Sequence, residues 1–232
     1  MPVYPMELAE WLASPTGRRL GAAEREVAAD ALRRVFGAQF LQVGDWGPAD
    51  AFTQLAGTAR RAVCADQPCP GVSFVAEDAQ LPVASHTVDA ILLPHTLERS
   101  RDPHQVLREA ERVLTGGGRL MVMGFAPWSF VGLRRALGRG GWPPGIKRLV
   151  TERRLRDWLS LLNFDVTDVQ RYFPAFDDSR AARVLGGLPG FMGAYLVVAV
   201  KRVHVITPIR SLWRRPARVH GGLVEPTTRS RL

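Results

Sequence analysis

Short apolar runs alternate along this chain with segments in which apolar residues recur every three or four positions. The short runs predict strands, because they have strand length and end at glycine, proline or charged residues. The longer period predicts amphipathic helices. The predicted strands are 38–43, 61–66, 72–76, 88–93, 119–124, 164–172 and 193–203. The main predicted helices are 17–36, 50–56, 102–114 and one that begins at Thr151.

The stretch from residue 38 to residue 47, AQFLQVGDWG, organises the rest of the chain. A strand that runs into a glycine turn and then a helix is the opening of a nucleotide-binding βαβ unit. Gly44 and Gly47 supply the positive φ and the close backbone approach that such a turn needs. Trp46 and Pro48 stand where further glycines are expected, so the motif is degenerate.

An acidic residue ends the second predicted strand. Asp66 lies 22 residues beyond Gly44, which matches the offset at which a carboxylate meets a ribose hydroxyl. The alternative is a loop aspartate that caps a turn before Pro68. Both interpretations remain open from the sequence.

Composition and charge narrow the class of protein. Hydrophobic residues make up 46% and charged residues 23% of 232 residues, which is typical of a globular domain. Cys64 and Cys69 have neither redox-motif nor zinc-site spacing, so we expect free thiols and no metal site. No signal peptide is evident, and the longest uncharged run, near 188–200, is shorter than a membrane span. We therefore expect a soluble, cytoplasmic protein.

The net charge of +9 is concentrated at the C-terminal end. After residue 200 there are eight basic residues and one acidic residue. We predict a domain over 1–203, with a helical cap at 1–37 and an α/β core at 38–203, followed by a basic, flexible tail at 204–232. Such a tail suits an anionic partner such as nucleic acid. We favour the simpler interpretation, a solvated arginine-rich tail.

Three further stretches carry a resemblance to a known family. They read FVAEDAQLP at 74–82, VDAILLPHTLE at 88–98 and LREAERVLTGGGRL at 107–120. Together with the order of strands and helices, they resemble the class I S-adenosylmethionine-dependent methyltransferases, and the type 11 methyltransferase-like proteins in particular. The resemblance covers residues 38–200. It implies a Rossmann-like α/β fold with a seven-stranded, mostly parallel sheet, helices on both faces and an antiparallel last strand.

The resemblance also implies a cofactor, S-adenosylmethionine, and residues that hold it. Asp78 corresponds to the family acid that meets the adenine amino group, and the backbone at Gly44 and Asp45 would face the methionine part. The other implied cofactor residues are Gly47, Asp66, Ala79 and Pro94. The sequence departs from the family pattern at Gln42, Trp46, Pro48, Arg99 and Thr115.

Methyl transfer depends mainly on positioning, although a base helps when the acceptor must lose a proton. His95, directly after the fourth strand, is the candidate base, and its alternative role is a loop histidine bonded to backbone. We predict a methyltransferase that acts on a small-molecule acceptor. The alternative is an inactive scaffold of the same fold that contacts nucleic acid through its tail.

Overall fold

The structure, a computed structural model, describes residues 4–48, 50–127, 143–172 and 193–203. Its helices are α1 Tyr4–Ala13, α2 Pro15–Leu32, α3 Asp50–Thr53, α4 Thr96–Arg99, α5 Pro103–Val113 and α6 Glu152–Leu161. Its strands are β1 Gln39–Val43, β2 Arg60–Ala65, β3 Phe74–Val75, β4 Val88–Pro94, β5 Leu114–Phe125, β6 Phe164–Tyr172 and β7 Ala194–Lys201. The Gly-, Pro- and Trp-rich insertion predicted at 125–145 lies largely outside these residues, and the tail lies wholly outside them.

All seven strands belong to one sheet in the order β3-β2-β1-β4-β5-β7-β6. The five strands from β3 to β5 pair in parallel. Strand β7 runs antiparallel to both β5 and β6 and lies between them. The predicted seven-stranded, mostly parallel fold with an antiparallel last strand is therefore confirmed.

Hydrophobic cores cover both faces of the sheet, because the central strands are apolar on both sides. On one face, Leu41 and Ile91 of the sheet share a core with Leu107 of α5 and Leu155 of α6. On the other face, the core combines sheet residues with residues of α1, α2 and α3, which are Leu8, Leu20, Leu32, Phe40, Phe52 and Leu92. The N-terminal helices are thus part of the main core. No helix among the described residues is long and apolar enough to cross a membrane.

Several element boundaries differ from the predicted ones. Helix α2 begins at Pro15, because Ser14 is its N-cap and the Ser14 hydroxyl accepts a hydrogen bond from the Gly17 N–H at 3.1 Å. The helix ends at Leu32, earlier than predicted. Strand β3 is only two residues long, since it lies at the sheet edge and has a single neighbour. Helix α3 ends at Thr53.

Asp89 joins the start of β4 to the start of β1. One carboxylate oxygen, Oδ2, accepts hydrogen bonds from the Ala38 N–H at 2.7 Å and the Gln39 N–H at 2.9 Å. Gly37 has φ of 146°, and a Cβ there would lie 2.6 Å from the Asp89 carboxyl carbon. Gly37 is therefore required by this close approach and does not cap α2.

We predict that Asp89→Ala lowers the free energy of unfolding by about 1–3 kcal/mol, because two strand-end N–H groups lose their acceptor. Asp89→Asn is the matched control, since its amide oxygen can accept the same two bonds. Urea unfolding followed by circular dichroism measures both. Equal stability of Asp89→Ala and wild type would contradict the assignment.

Candidate functional site

The predicted site residues gather at the carboxyl ends of the parallel strands. Strand order reverses between β1 and β4, and ligands of open α/β sheets bind at such a switch point. Gly44 follows β1, Asp66 follows β2, Asp78 lies beyond β3 and His95 follows β4. The structure thus brings to one edge residues that are up to 51 positions apart in sequence.

The turn after β1 needs its two glycines. Gly44 has φ of 110°, and its N–H donates to the Cys64 carbonyl at 2.8 Å. A Cβ on Gly44 would lie 2.7 Å from the Thr96 hydroxyl, which itself donates to the Val43 carbonyl. Gly47 has φ of 75°, and a Cβ there would meet no atom of the described residues within 4 Å. The backbone of the turn is therefore closely held at Gly44 and has open space beside it at Gly47.

The side chain of Trp46 points into the core. It is 1% exposed and is one of the largest fully buried side chains. Its indole Nε1–H donates to Oε2 of Glu24, on helix α2, at 2.6 Å. The side chain that replaces a family glycine is therefore a core group and does not lie in the crevice.

His95 lies between two buried carboxylates. Its Nε2 is 2.8 Å from Oε1 of Glu24, and its Nδ1 is 2.7 Å from Oε2 of Glu98. The other oxygen of Glu98 accepts the Phe125 N–H at 2.8 Å. The imidazole packs between the rings of Trp46 and Phe125, with centroid separations of 4.3 and 4.1 Å. We call Glu24, His95 and Glu98 the buried triad; each is at most 1% exposed.

The carboxylates set the protonation of His95. Burial alone would lower the pKa of His95, but the charges and hydrogen bonds of Glu24 and Glu98 outweigh it and raise that pKa to about 9. Burial raises the pKa of Glu98, against the opposing effect of His95. Because both ring nitrogens face carboxylates, neither has a lone pair available to an acceptor molecule. This geometry does not favour the predicted role of His95 as a general base.

Acidic and basic side chains surround the turn. Asp45 forms an ion pair with Arg99 at 2.6 Å, which joins the ends of β1 and β4. The Asp66 side chain is exposed and Asp78 is half-buried. Burial raises the pKa of Asp78, the Ser100 hydroxyl opposes this, and the Asp66 charge adds to it. Asp66 and Asp78 are therefore close enough to interact.

The remaining predicted residues also lie at this edge. Pro94 is buried at the end of β4, and Ala79 is half-buried beside Asp78. Gln42, which replaces the family acid, donates through Nε2 to the Gly44 carbonyl at 3.0 Å. Among the described residues, its buried Oε1 has no hydrogen-bond partner. A turn with room beside it and nearby carboxylates suit a ligand that carries ammonium and hydroxyl groups, as S-adenosylmethionine does.

Sequence reasoning missed Glu24. A signal was present, because Glu24 follows Leu20 by four positions and so lies on the apolar stripe of α2. A charged residue on the buried face of a helix needs a partner, and the partners lie 22 and 71 residues further along the chain.

Comparisons with known proteins agree with the fold. Residues 38–122 match a family model described as a methyltransferase domain. Protein YafS of Escherichia coli strain K12 is 38% identical over 149 residues, and the match spans 62% of this chain and 62% of YafS.

Solved structures are also similar to this chain. One is in the complex between the Haloferax volcanii Trm112 methyltransferase activator and its methyltransferase, with a TM-score of 0.63, 16% identity and coverage of 84% of this chain and 98% of that chain. Another is a SAM-dependent methyltransferase from Thermotoga maritima, with a TM-score of 0.60, 17% identity and coverage of 79% and 91%. Residues 38–122 are thus similar to a methyltransferase domain, and the solved structures share the fold of this chain.

We predict that restoring the family glycine harms this protein. Trp46→Gly should lower the free energy of unfolding by about 3–5 kcal/mol, because it empties a core site and leaves Oε2 of Glu24 without its donor. Trp46→Phe is the matched control; it keeps most of the ring and should lose only about 1–3 kcal/mol. Urea unfolding compares the three proteins. A Trp46→Gly variant as stable as wild type would show that the indole is not a core group.

We also predict that stability falls in the alkaline range because of His95. A raised folded-state pKa gives stabilisation that is complete below the unfolded value near 6.5 and is lost as the pH rises through about 9. The free energy of unfolding of wild type should fall by about 1–3 kcal/mol between pH 6.5 and 9.5. His95→Gln should lack this component, and the comparison cancels the titration of the two thiols. Parallel pH profiles of wild type and variant would contradict the prediction.

Proposed function

We propose that this protein is an S-adenosylmethionine-dependent methyltransferase that acts on a small-molecule acceptor. The observation that carries the proposal is the position of Trp46. Its side chain lies in the core, and no described residue fills the space beside Gly47 in the glycine turn at the switch point. The inactive-scaffold alternative drew on Gln42, Trp46 and Pro48, and the core position of Trp46 speaks against one of these three grounds.

We propose that carboxylates at the strand ends hold the nucleoside part of the cofactor. Asp66 is exposed at the end of β2 and would accept from ribose hydroxyls. Asp78, half-buried beside Ala79, would accept from the adenine amino group. Burial and, to a smaller extent, the Asp66 charge raise the pKa of Asp78.

The turn and the end of β4 would hold the methionine part. Backbone groups at Gly44 and Gly47 would approach it closely, with Pro94 at the adjacent strand end. Asp45 and Arg99 already form an ion pair there, and together they offer a carboxylate and a guanidinium to an amino-acid group that carries both charges.

Methyl transfer needs little from the protein beyond position. When bound, the cofactor supplies a methyl group on a cationic sulfur; the acceptor lone pair forms the new bond to that carbon, and the old bonding pair stays on sulfur. Strand ends and the closely held turn fix the geometry, which lowers much of the barrier. With both nitrogens of His95 engaged, we infer that an acceptor proton is lost to another group or to water.

Two further parts of the proposal concern the compartment and the tail. Cys64 and Cys69 are free thiols, which supports a reducing compartment such as the cytoplasm. The nucleic-acid alternative depends on the tail, which lies outside the described residues.

Calorimetric titration with S-adenosylmethionine and S-adenosylhomocysteine tests the proposal. We expect micromolar binding, about −8 kcal/mol, that is lost or strongly weakened in Asp66→Ala and Asp78→Ala. Asp157→Ala removes an exposed carboxylate on α6 and is the matched control that should bind normally.

Absence of heat and of a thermal shift at millimolar ligand would overturn the enzyme proposal. Normal binding by both Asp66→Ala and Asp78→Ala would leave a cofactor site but place it elsewhere. A methyl-acceptor search with radiolabelled cofactor follows if binding is found.

A further inference from the structure

The hydrogen bonds of the buried triad fix its charge. A carboxylate oxygen only accepts, so each of the two close contacts between His95 and a carboxylate must contain a proton. The two outer carboxylate oxygens accept from the Trp46 indole and the Phe125 backbone, so the hydrogen bonds among the described residues call for no third proton. Two carboxylates and one imidazole that share two protons carry one net negative charge, wherever each proton sits along its bond.

The triad that carries this charge lies next to the turn after β1. Trp46 belongs to the turn and donates to Glu24, while His95 immediately follows Pro94 at the end of β4. Glu98 precedes Arg99, the partner of Asp45 in the turn. The triad therefore contacts both strand ends that border the switch point.

The field of the triad reaches neighbouring groups. Burial raises the pKa of Tyr172 well above its ordinary value, and the charges of Glu24 and Glu98 raise it further. A buried charge is weakly screened by salt, so it acts on charged ligands at the crevice more strongly than a surface charge would.

We propose that the buried Glu24–His95–Glu98 triad is an electrostatic selector that favours a cationic ligand in the crevice over a neutral one of the same shape. The inference rests on the proposed function and deepens it. S-adenosylmethionine carries a positive sulfur, whereas the product S-adenosylhomocysteine carries a neutral sulfur at the same place. The triad would thus hold the substrate form and release the product form.

The hydrogen bonds also supply controls that keep the charge. In Glu24→Gln, the amide oxygen accepts from Trp46 and the amide NH₂ donates to an unprotonated Nε2 of His95, so one proton leaves and the net charge stays at minus one. Glu98→Gln does the same from the other side, with its oxygen on the Phe125 N–H. Only the double variant Glu24→Gln/Glu98→Gln brings the triad to neutrality.

The test is the ratio of the two dissociation constants, S-adenosylhomocysteine over S-adenosylmethionine, measured by calorimetry on the full-length wild type, both single variants and the double variant. We expect one ratio for wild type and both single variants, and a ratio about threefold to tenfold smaller for the double variant. A merely structural role would weaken both ligands together and leave the ratio unchanged.

Every other result of this measurement contradicts one particular step of the inference. If the double variant folds and binds both ligands with an unchanged ratio, the inference about the triad is overturned and the proposed function is not affected. A single variant whose ratio falls as far as that of the double variant also overturns the inference, since its charge is kept. If wild type binds neither ligand, the proposed function falls and this inference with it.

Circular dichroism and urea unfolding establish whether the double variant folds. If it does not, the wild-type ratio decides: the inference requires S-adenosylmethionine to bind more tightly than S-adenosylhomocysteine, and the reverse order overturns it.

Discussion

The hydrogen bond from the Trp46 indole to Glu24 is the interaction on which the site depends. It ties helix α2 to the turn after β1 and holds a large side chain away from the crevice. Glu24 could not remain buried as a charge without this donor and His95, because an unpaired buried carboxylate is strongly unfavourable. Trp46 stands in place of a motif glycine, and Glu24 stands on the apolar face of α2. These two departures from the expected pattern are therefore parts of one structural arrangement.

The same arrangement explains why the N-terminal helices are integral to the domain. Helix α2 supplies one carboxylate of the triad and α4 the other, while His95 joins them from the end of β4. His95 has φ of 54°, an unusual conformation for a residue other than glycine. The two carboxylates hold its ring in place on both sides, so the local backbone and the buried charges support one another.

The sequence predicted the fold well because its signals are local. Strand β6 has the predicted bounds, and Asp102, the first residue of the helix predicted at 102–114, is the N-cap of α5 and accepts from the N–H groups of His104 and Gln105. The site was predicted in part: the strand-end acids lie at one edge, but the direction of Trp46 could not be read, since its partner is 22 residues away on another element. The surroundings of His95 could not be read for the same reason, because its contacts with Glu24 and Glu98 form only in the folded structure.

The most direct measurement is an NMR titration of the full-length protein with S-adenosylmethionine, in which the Trp46 indole N–H and the backbone N–H groups of the turn are followed together. The account predicts that the Gly44 and Asp45 amide resonances shift on binding. It also predicts that the Trp46 indole proton stays slow to exchange with solvent, with and without ligand. Rapid exchange of that indole proton, or a turn that does not respond to the cofactor, would contradict the account.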